Sequence, residues 1–160
     1  MKSLPIKTIE TAPEESQILL EKSLKSNGYI PNLHRVLAGS PNLLKAYQTL
    51  HELFSKSSFT KEELTVVWQT INVEHECHYC VPAHTAIANR MKVDTAITEA
   101  LRNRTAMPTK KLQALHDMTL SIVRNRGNAP ETDIQSFYDA GYDSQNLLDI
   151  ILGLSQKIIS

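Results

Sequence analysis

The sequence is poor in cysteine, glycine and net charge. Only two cysteines and five glycines occur among its 160 residues. Two cysteines are too few for a secreted disulfide scaffold, and so few glycines disfavour an all-β fold with many tight turns. Basic and acidic residues are equal in number, 17 of each. The resulting absence of net charge argues against nucleic acid and anionic membranes as partners.

Long hydrophobic runs are absent as well. No stretch approaches the roughly 20 apolar residues that a membrane span requires. The N-terminal segment MKSLPIKTIETAPEE contains no apolar run typical of a signal peptide. We therefore expect a cytoplasmic protein. The chain stops in KIIS, inside an apolar helical pattern, so the native protein could continue past Ser160.

The apolar residues follow a helical period throughout the chain. They recur at steps of three and four, and no segment shows the sustained alternation of a strand. A capping box at Thr60 and Glu63 marks one helix start. Start and stop signals predict nine helices. They cover 13–26, Pro31 to Gly39, a helix that begins at Ser40, one that follows Thr60, one that ends near Met91, one that follows Asp94, Thr109 to Gly127, 130–140 and 143–160. We expect one all-α domain spanning residues 1–160.

Both cysteines lie in one short segment, EHECHYCVPAH, which covers residues 74–84. Proline is tolerated only in the first turn of a helix, so Pro82 predicts a helix that starts between Cys77 and Val81. The free N–H groups and the positive end of the helix dipole at such a start favour a thiolate. This placement predicts a reactive cysteine pair.

His84 follows Cys80 by four residues, so the two side chains are neighbours on one helix face. A histidine there could take the thiol proton as a general base. Two cysteines three apart can close a small disulfide after one of them is oxidised. The pattern therefore allows a cycle in which a thiolate attacks a peroxide, forms a sulfenic acid and condenses with the second cysteine.

A zinc site is the main alternative for the same segment. Four nitrogen and sulfur ligands would come from Cys77, Cys80, His84 and either His75 or His78. All of them would lie in one short segment without a second ligand pair elsewhere, which is unusual for a tetrahedral site. The alternative function is then a non-catalytic, zinc-holding oligomeric protein.

The segment ECHYCVPAH resembles the CxxC-xxx-His signature of the alkylhydroperoxidase AhpD-like proteins, in the carboxymuconolactone decarboxylase-like superfamily. Further similarity to the peroxidase-related branch lies in GYIPN at 28–32, in SPN at 40–42 and in AGY at 140–142, and it covers about residues 25–155. The resemblance implies an AhpD-like all-α fold, homo-oligomers such as trimers or hexamers, and a thiol-dependent peroxidase acting on a hydroperoxide. It implies no bound cofactor but an external dithiol reductant, of the lipoyl type in the AhpD system.

The resemblance also implies roles for individual residues. Cys80 would attack the peroxide, Cys77 would resolve the intermediate, and His84 would belong to the proton relay. The family's relay glutamate lies about three turns before the first cysteine, where this sequence has Thr65, with Glu62 and Glu63 slightly out of register. Glu74 could substitute for it, or it could be a solvated acid at a helix end.

Two further readings remain beside the peroxidase. The cysteine pair could serve a general thiol–disulfide oxidoreductase, which acts on disulfides rather than peroxides. In the last helix, Leu147, Ile151, Leu154 and Ile158 form an apolar stripe. Apolar surface of this kind suggests burial between subunits of an oligomer.

Overall fold

The computed structural model describes residues 4–160, and Met1 to Ser3, the start of the segment in which no signal peptide is expected, lie outside the described residues. All regular structure between 4 and 160 is helical, which confirms the all-α prediction. The helices are α1 (Glu14–Asn27), α2 (Asn32–Leu37), α3 (Pro41–Ser55), α4 (Lys61–Glu74), α5 (Cys80–Arg90), α6 (Thr95–Asn103), α7 (Lys110–Arg124), α8 (Glu131–Asp139) and α9 (Ser144–Ile159). Across that described range, no helix has both the length and the apolarity needed to cross a bilayer.

Local sequence signals account for the helix boundaries. Thr60 and Glu63 form the predicted capping box, in which each side chain accepts a hydrogen bond from the backbone N–H of the other. The side chain of Asp94 caps α6 and that of Thr109 caps α7. The helix expected to reach Gly127 ends three residues earlier, because the chain leaves α7 through a turn that closes at Gly127 with a φ of 88°.

The chain divides into two compact units. The first contains the residues up to His51 together with Ile159 and Ser160, and the second contains Glu52–Ile158. The first unit has its own small core, formed by Ala12, Leu20, Leu37, Ala38, Leu44 and Tyr47. The expectation of a single domain over 1–160 stays a prediction.

The second unit is built around α4. Every residue from Glu63 to Asn72 on this helix is buried, which is the mark of a helix surrounded by others. Helices α5, α6 and α7 pack against it, and α8 packs against α7. Several polar side chains are buried with it, and Gln69 and Asn72 are two of them. A buried polar side chain must find hydrogen-bond partners, so α4 is where a polar site can be held rigidly.

Helix α9 comes close to the core of the second unit at Gly153. A Cβ placed on Gly153 would lie 2.8 Å from Cε2 of Phe54 and 3.1 Å from Cγ1 of Val67. Both distances are below ordinary carbon–carbon contact. The buried residues of α9 are Ile150, Gly153, Gln156 and Lys157, whereas Ile151 and Ile158 of the expected stripe are exposed. The glycine thus allows α9 to approach the core.

Gly153→Ala is expected to destabilise the protein by about 1–3 kcal/mol, because the added methyl group overpacks the contact with two fully buried side chains. Chemical denaturation would measure the free energy of unfolding. Ser155→Ala, at an exposed position of the same helix, is the matched control and should change it little. Equal stabilities for the two variants would show that α9 does not need the glycine.

Candidate redox site

The turn between α4 and α5 delivers Cys77 to the site. Glu76 has a left-handed backbone with a φ of 51°. Its N–H donates to the carbonyl of Val73 at 3.2 Å, and the N–H of Cys77 donates to the carbonyl of Asn72 at 3.0 Å. These two bonds form a Schellman motif, which ends a helix with a defined exit direction. The first cysteine therefore has a fixed position relative to α4.

The two cysteines meet at the start of α5. Their sulfurs are joined as a disulfide, and their Cα atoms are 5.2 Å apart. Cys80 is the first residue of the helix and Pro82 the third, which confirms the predicted helix start. The N–H of Cys80 donates to Sγ of Cys77 at 3.1 Å. Such a bond at a helix N-terminus favours negative charge on sulfur once the disulfide is reduced.

The two cysteines differ in exposure. Cys80 is only 2% exposed, whereas Cys77 is half-buried. Larger molecules in solution can therefore approach the sulfur of Cys77 more readily than that of Cys80. This asymmetry divides the pair into an inner and an outer sulfur.

Two amide side chains of α4 hold the backbone of the cysteine segment. Asn72 Nδ2 donates to Oε1 of Gln69 at 2.8 Å and lies 3.5 Å from the carbonyl oxygen of Cys80. Gln69 Nε2 donates to the carbonyl of Val81 and to Oγ1 of Thr85, each at 3.1 Å. These contacts fix the first turn of α5 against α4. Sequence reasoning did not single out Gln69 or Asn72, although two amides three residues apart on an apolar helix are a usable signal.

His84 lies one helical turn after Cys80, as its spacing predicted, and it is 6% exposed. Its ring contacts the indole of Trp68, with centroids 5.0 Å apart. Trp68 in turn donates from Nε1 to Oε1 of Gln156 at 2.7 Å. Trp68 packs, as expected, and its packing restricts the orientation of the imidazole.

A buried lysine completes the site. Lys157 of α9 is 3% exposed, and its Nζ lies 3.4 Å from Nε2 of His84. Burial lowers the pKa of Lys157 to about 8, because the low-polarity surroundings disfavour the ammonium. Both its amine and its ammonium forms are therefore populated near neutral pH. No sequence signal indicated this lysine, because its neighbour Ile158 suggested the inward face of the helix instead.

The residues of the zinc alternative are not gathered around one point. His75 and His78 are both exposed. Among residues 4–160, no three His, Cys, Asp or Glu side chains lie close enough together to hold a metal ion. The zinc alternative stays a prediction, because the sulfurs of Cys77 and Cys80 are joined to each other in this structure.

Comparison with solved structures identifies the fold. An uncharacterized peroxidase-related protein of Ralstonia eutropha JMP134, with an alkylhydroperoxidase AhpD core, matches with a TM-score of 0.80 at 19% identity, over 99% of this chain and 90% of that one. The chain has the AhpD-like helical fold. An uncharacterized peroxidase-related protein of Silicibacter sp. TM1040 matches with a TM-score of 0.79 at 20% identity, over 98% and 86% of the two chains. Neither a protein-family model nor a curated protein matches the sequence.

Within this AhpD-like fold, the candidate carboxylates have other partners. Glu74 ends α4 and receives hydrogen bonds from Nε and Nη2 of Arg124, at 2.7 and 2.9 Å. The hydrogen bond from Arg124 lowers the pKa of Glu74 below its usual value. Glu63 caps α4 and lies 3.3 Å from Lys111, while the hydroxyl of Thr65 donates to a backbone carbonyl of its own helix. A relay role for Glu74 stays a prediction.

Glu74→Gln is expected to lower the free energy of unfolding by about 0.5–1 kcal/mol at neutral pH, since it weakens a two-point ion pair that is partly exposed. The pKa of Glu74 is lower in the folded than in the unfolded protein, so the stabilisation is present above the unfolded value of 4.5 and is lost as the pH falls through the folded value.

Urea denaturation of the wild type and of Glu74→Gln over that acidic range would test the ion pair. The two stabilities should converge as the pH falls. Glu21→Gln, at an exposed position of α1, is the control and should show a smaller effect at neutral pH. A stability difference between wild type and Glu74→Gln that is the same at all pH values would contradict the ion-pair account.

Proposed function

We propose that the protein is a thiol-dependent peroxidase that reduces hydroperoxides through a Cys77–Cys80 dithiol–disulfide cycle. The observation that carries the proposal is the arrangement at the start of α5, where a buried cysteine has a histidine one turn away and a second cysteine at disulfide distance. The AhpD-like fold, shared with peroxidase-related proteins, adds support.

The proposed cycle has three balanced steps. The Cys80 thiolate attacks the O–O bond, which gives a sulfenic acid on Cys80 and releases the alcohol once it takes up a proton. The thiol of Cys77 then condenses with the sulfenic acid, which forms the disulfide and releases water. An external dithiol reduces the disulfide and is itself oxidised. His84 takes the proton of Cys80 in the first step.

The exposure of the two sulfurs fits these roles. Hydroperoxides are small, and the buried Cys80 would react with them beside His84. Cys77 is the outer sulfur, so the reductant would attack there and release Cys80 as the leaving thiolate. A lipoyl-type dithiol is the expected reductant, and a reducing cytoplasm would maintain it. We propose no bound cofactor.

Cys80→Ser is expected to reduce peroxide consumption, in the presence of a dithiol, to the rate measured without protein, because no thiolate remains beside His84. Cys77→Ser is the matched variant, since it removes the other sulfur of the same turn. Reduced beforehand and then freed of dithiol, which would otherwise reduce the sulfenic acid, it should consume one equivalent of peroxide, stop, and hold a sulfenic acid that a trapping reagent locates on Cys80 by mass spectrometry.

Two results would contradict this assignment. Equal turnover by wild type and Cys80→Ser would show that peroxide reduction does not depend on the inner sulfur. A sulfenic acid trapped on Cys77 in Cys80→Ser, with none on Cys80 in Cys77→Ser, would exchange the two roles.

A general thiol–disulfide oxidoreductase is the second candidate. It is favoured by the half-buried Cys77, whose sulfur accepts the N–H of Cys80, a bond that would stabilise an attacking thiolate. Turnover of a model disulfide and of a hydroperoxide, measured with the same dithiol, separates the two functions. Faster turnover of the disulfide would favour the second candidate.

The expected assembly is a homo-oligomer, such as a trimer or a hexamer. The exposed side chains of Leu148, Ile151 and Ile158 leave an apolar surface on α9. Light scattering should give a mass that is a multiple of the 18.0 kDa chain. A mass of one chain at all concentrations would contradict the prediction.

A further inference from the structure

If His84 alone accepted the proton of the Cys80 thiol, the positive charge would stay on a buried imidazole. A histidine that takes a proton in a buried site must carry the positive charge there or pass a proton onward. Its Nδ1 is shielded from solvent, and its Nε2 faces the nitrogen of Lys157 at 3.4 Å. Lys157 is therefore a second base, placed next to Nε2 of His84.

We propose that Lys157 is a positioning residue of the thiol site, which binds Nε2 of His84 and accepts one proton from it while His84 accepts the proton of Cys80. The inference rests on the proposed function, in which Cys80 must become a thiolate. It assigns a role to α9, a helix far from the cysteines in sequence.

The step can be written with every proton placed. The step starts from the amine form of Lys157, which is the minor form at pH 7; this amine accepts a hydrogen bond from Nε2–H of His84, whose Nδ1 is the basic nitrogen. The S–H proton of Cys80 moves to Nδ1, and the Nε2 proton moves to Nζ of Lys157. After it, the site holds a thiolate, a neutral imidazole protonated at Nδ1, and an ammonium. Charge is conserved and no oxidant is consumed.

Burial makes this step feasible near neutral pH. Lys157 is held at a pKa of about 8 by desolvation, so both its amine and its ammonium are accessible. Two positive charges 3.4 Å apart in such a site would repel strongly, so the Lys157–His84 pair carries at most one excess proton. An ammonium that forms together with the thiolate keeps the buried site neutral.

Neighbouring contacts hold the two groups together. The ring of Trp68 lies against His84, and its indole N–H donates to Gln156, the residue before Lys157. Gly153, one turn earlier, allows α9 to approach the core. The pair is therefore fixed by the same packing that builds the second unit.

Lys157→Met, made together with Cys77→Ser so that only Cys80 can react, tests the proposal. At one near-neutral pH, alkylation of reduced Cys80 by iodoacetamide is expected to slow by roughly tenfold, a modest part of the ~10²–10⁴-fold that positioned acid–base groups contribute. The nitrogen-15 shifts of the His84 ring should change as well, because they report which nitrogen carries the proton.

Controls separate this effect from a change in folding. Lys45→Met removes an exposed lysine and should leave both measurements unchanged. The ring shifts of His34, a histidine of the first unit, serve as an internal reference in every variant. If Lys157→Met does not fold, Lys157→Gln has the same expected results, because an amide cannot take up the proton.

The proposal is overturned if Lys157→Met leaves either the alkylation rate of Cys80 or the ring shifts of His84 equal to those of the Cys77→Ser parent. Peroxide turnover by the chain with both cysteines is measured alongside. If the chain with both cysteines does not turn over peroxide, but Lys157→Met slows alkylation and changes the His84 shifts, the peroxidase function is refuted and the role of Lys157 stands. Turnover without either effect would refute only the role of Lys157.

Discussion

Asn72 provides the constraint on which the site depends. Its carbonyl accepts the N–H of Cys77, and its side-chain amide reaches toward the carbonyl of Cys80. One buried residue of α4 therefore holds both cysteines. Because α4 is surrounded by other helices, Asn72 cannot move without disturbing the core. The position of the first turn of α5, and with it the depth of Cys80 and the direction of His84, follow from this anchorage.

The far side of the site depends on α9. A cationic side chain is costly to bury, and the second unit accepts that cost at Lys157. Residues that weaken stability in this way are retained mainly where they serve a function. Gly153, Trp68 and Gln156 bring α9 close enough for Lys157 to reach His84. A polar connection thus runs from α4 through the cysteine segment to α9, inside a helical core.

Sequence reasoning succeeded where the determinants are local. The capping box at Thr60, the helix start near Pro82 and the one-turn spacing of Cys80 and His84 all follow from neighbouring residues. It was incomplete where the determinants are contacts between distant segments. Lys157 lies 73 positions from His84, and nothing in its surroundings indicates that it is buried. Glu74 shows the same limit, because its partner Arg124 lies on another helix.

The central claim is that Cys77 and Cys80 complete one redox cycle within a single chain. The most direct test is thiol titration of the reduced protein before and after one equivalent of hydroperoxide, with the product mapped by mass spectrometry. The account predicts that both thiols of each chain disappear together and that Cys77 is joined to Cys80 of the same chain. Two thiols that persist after the peroxide is added, or a disulfide between chains, would contradict it.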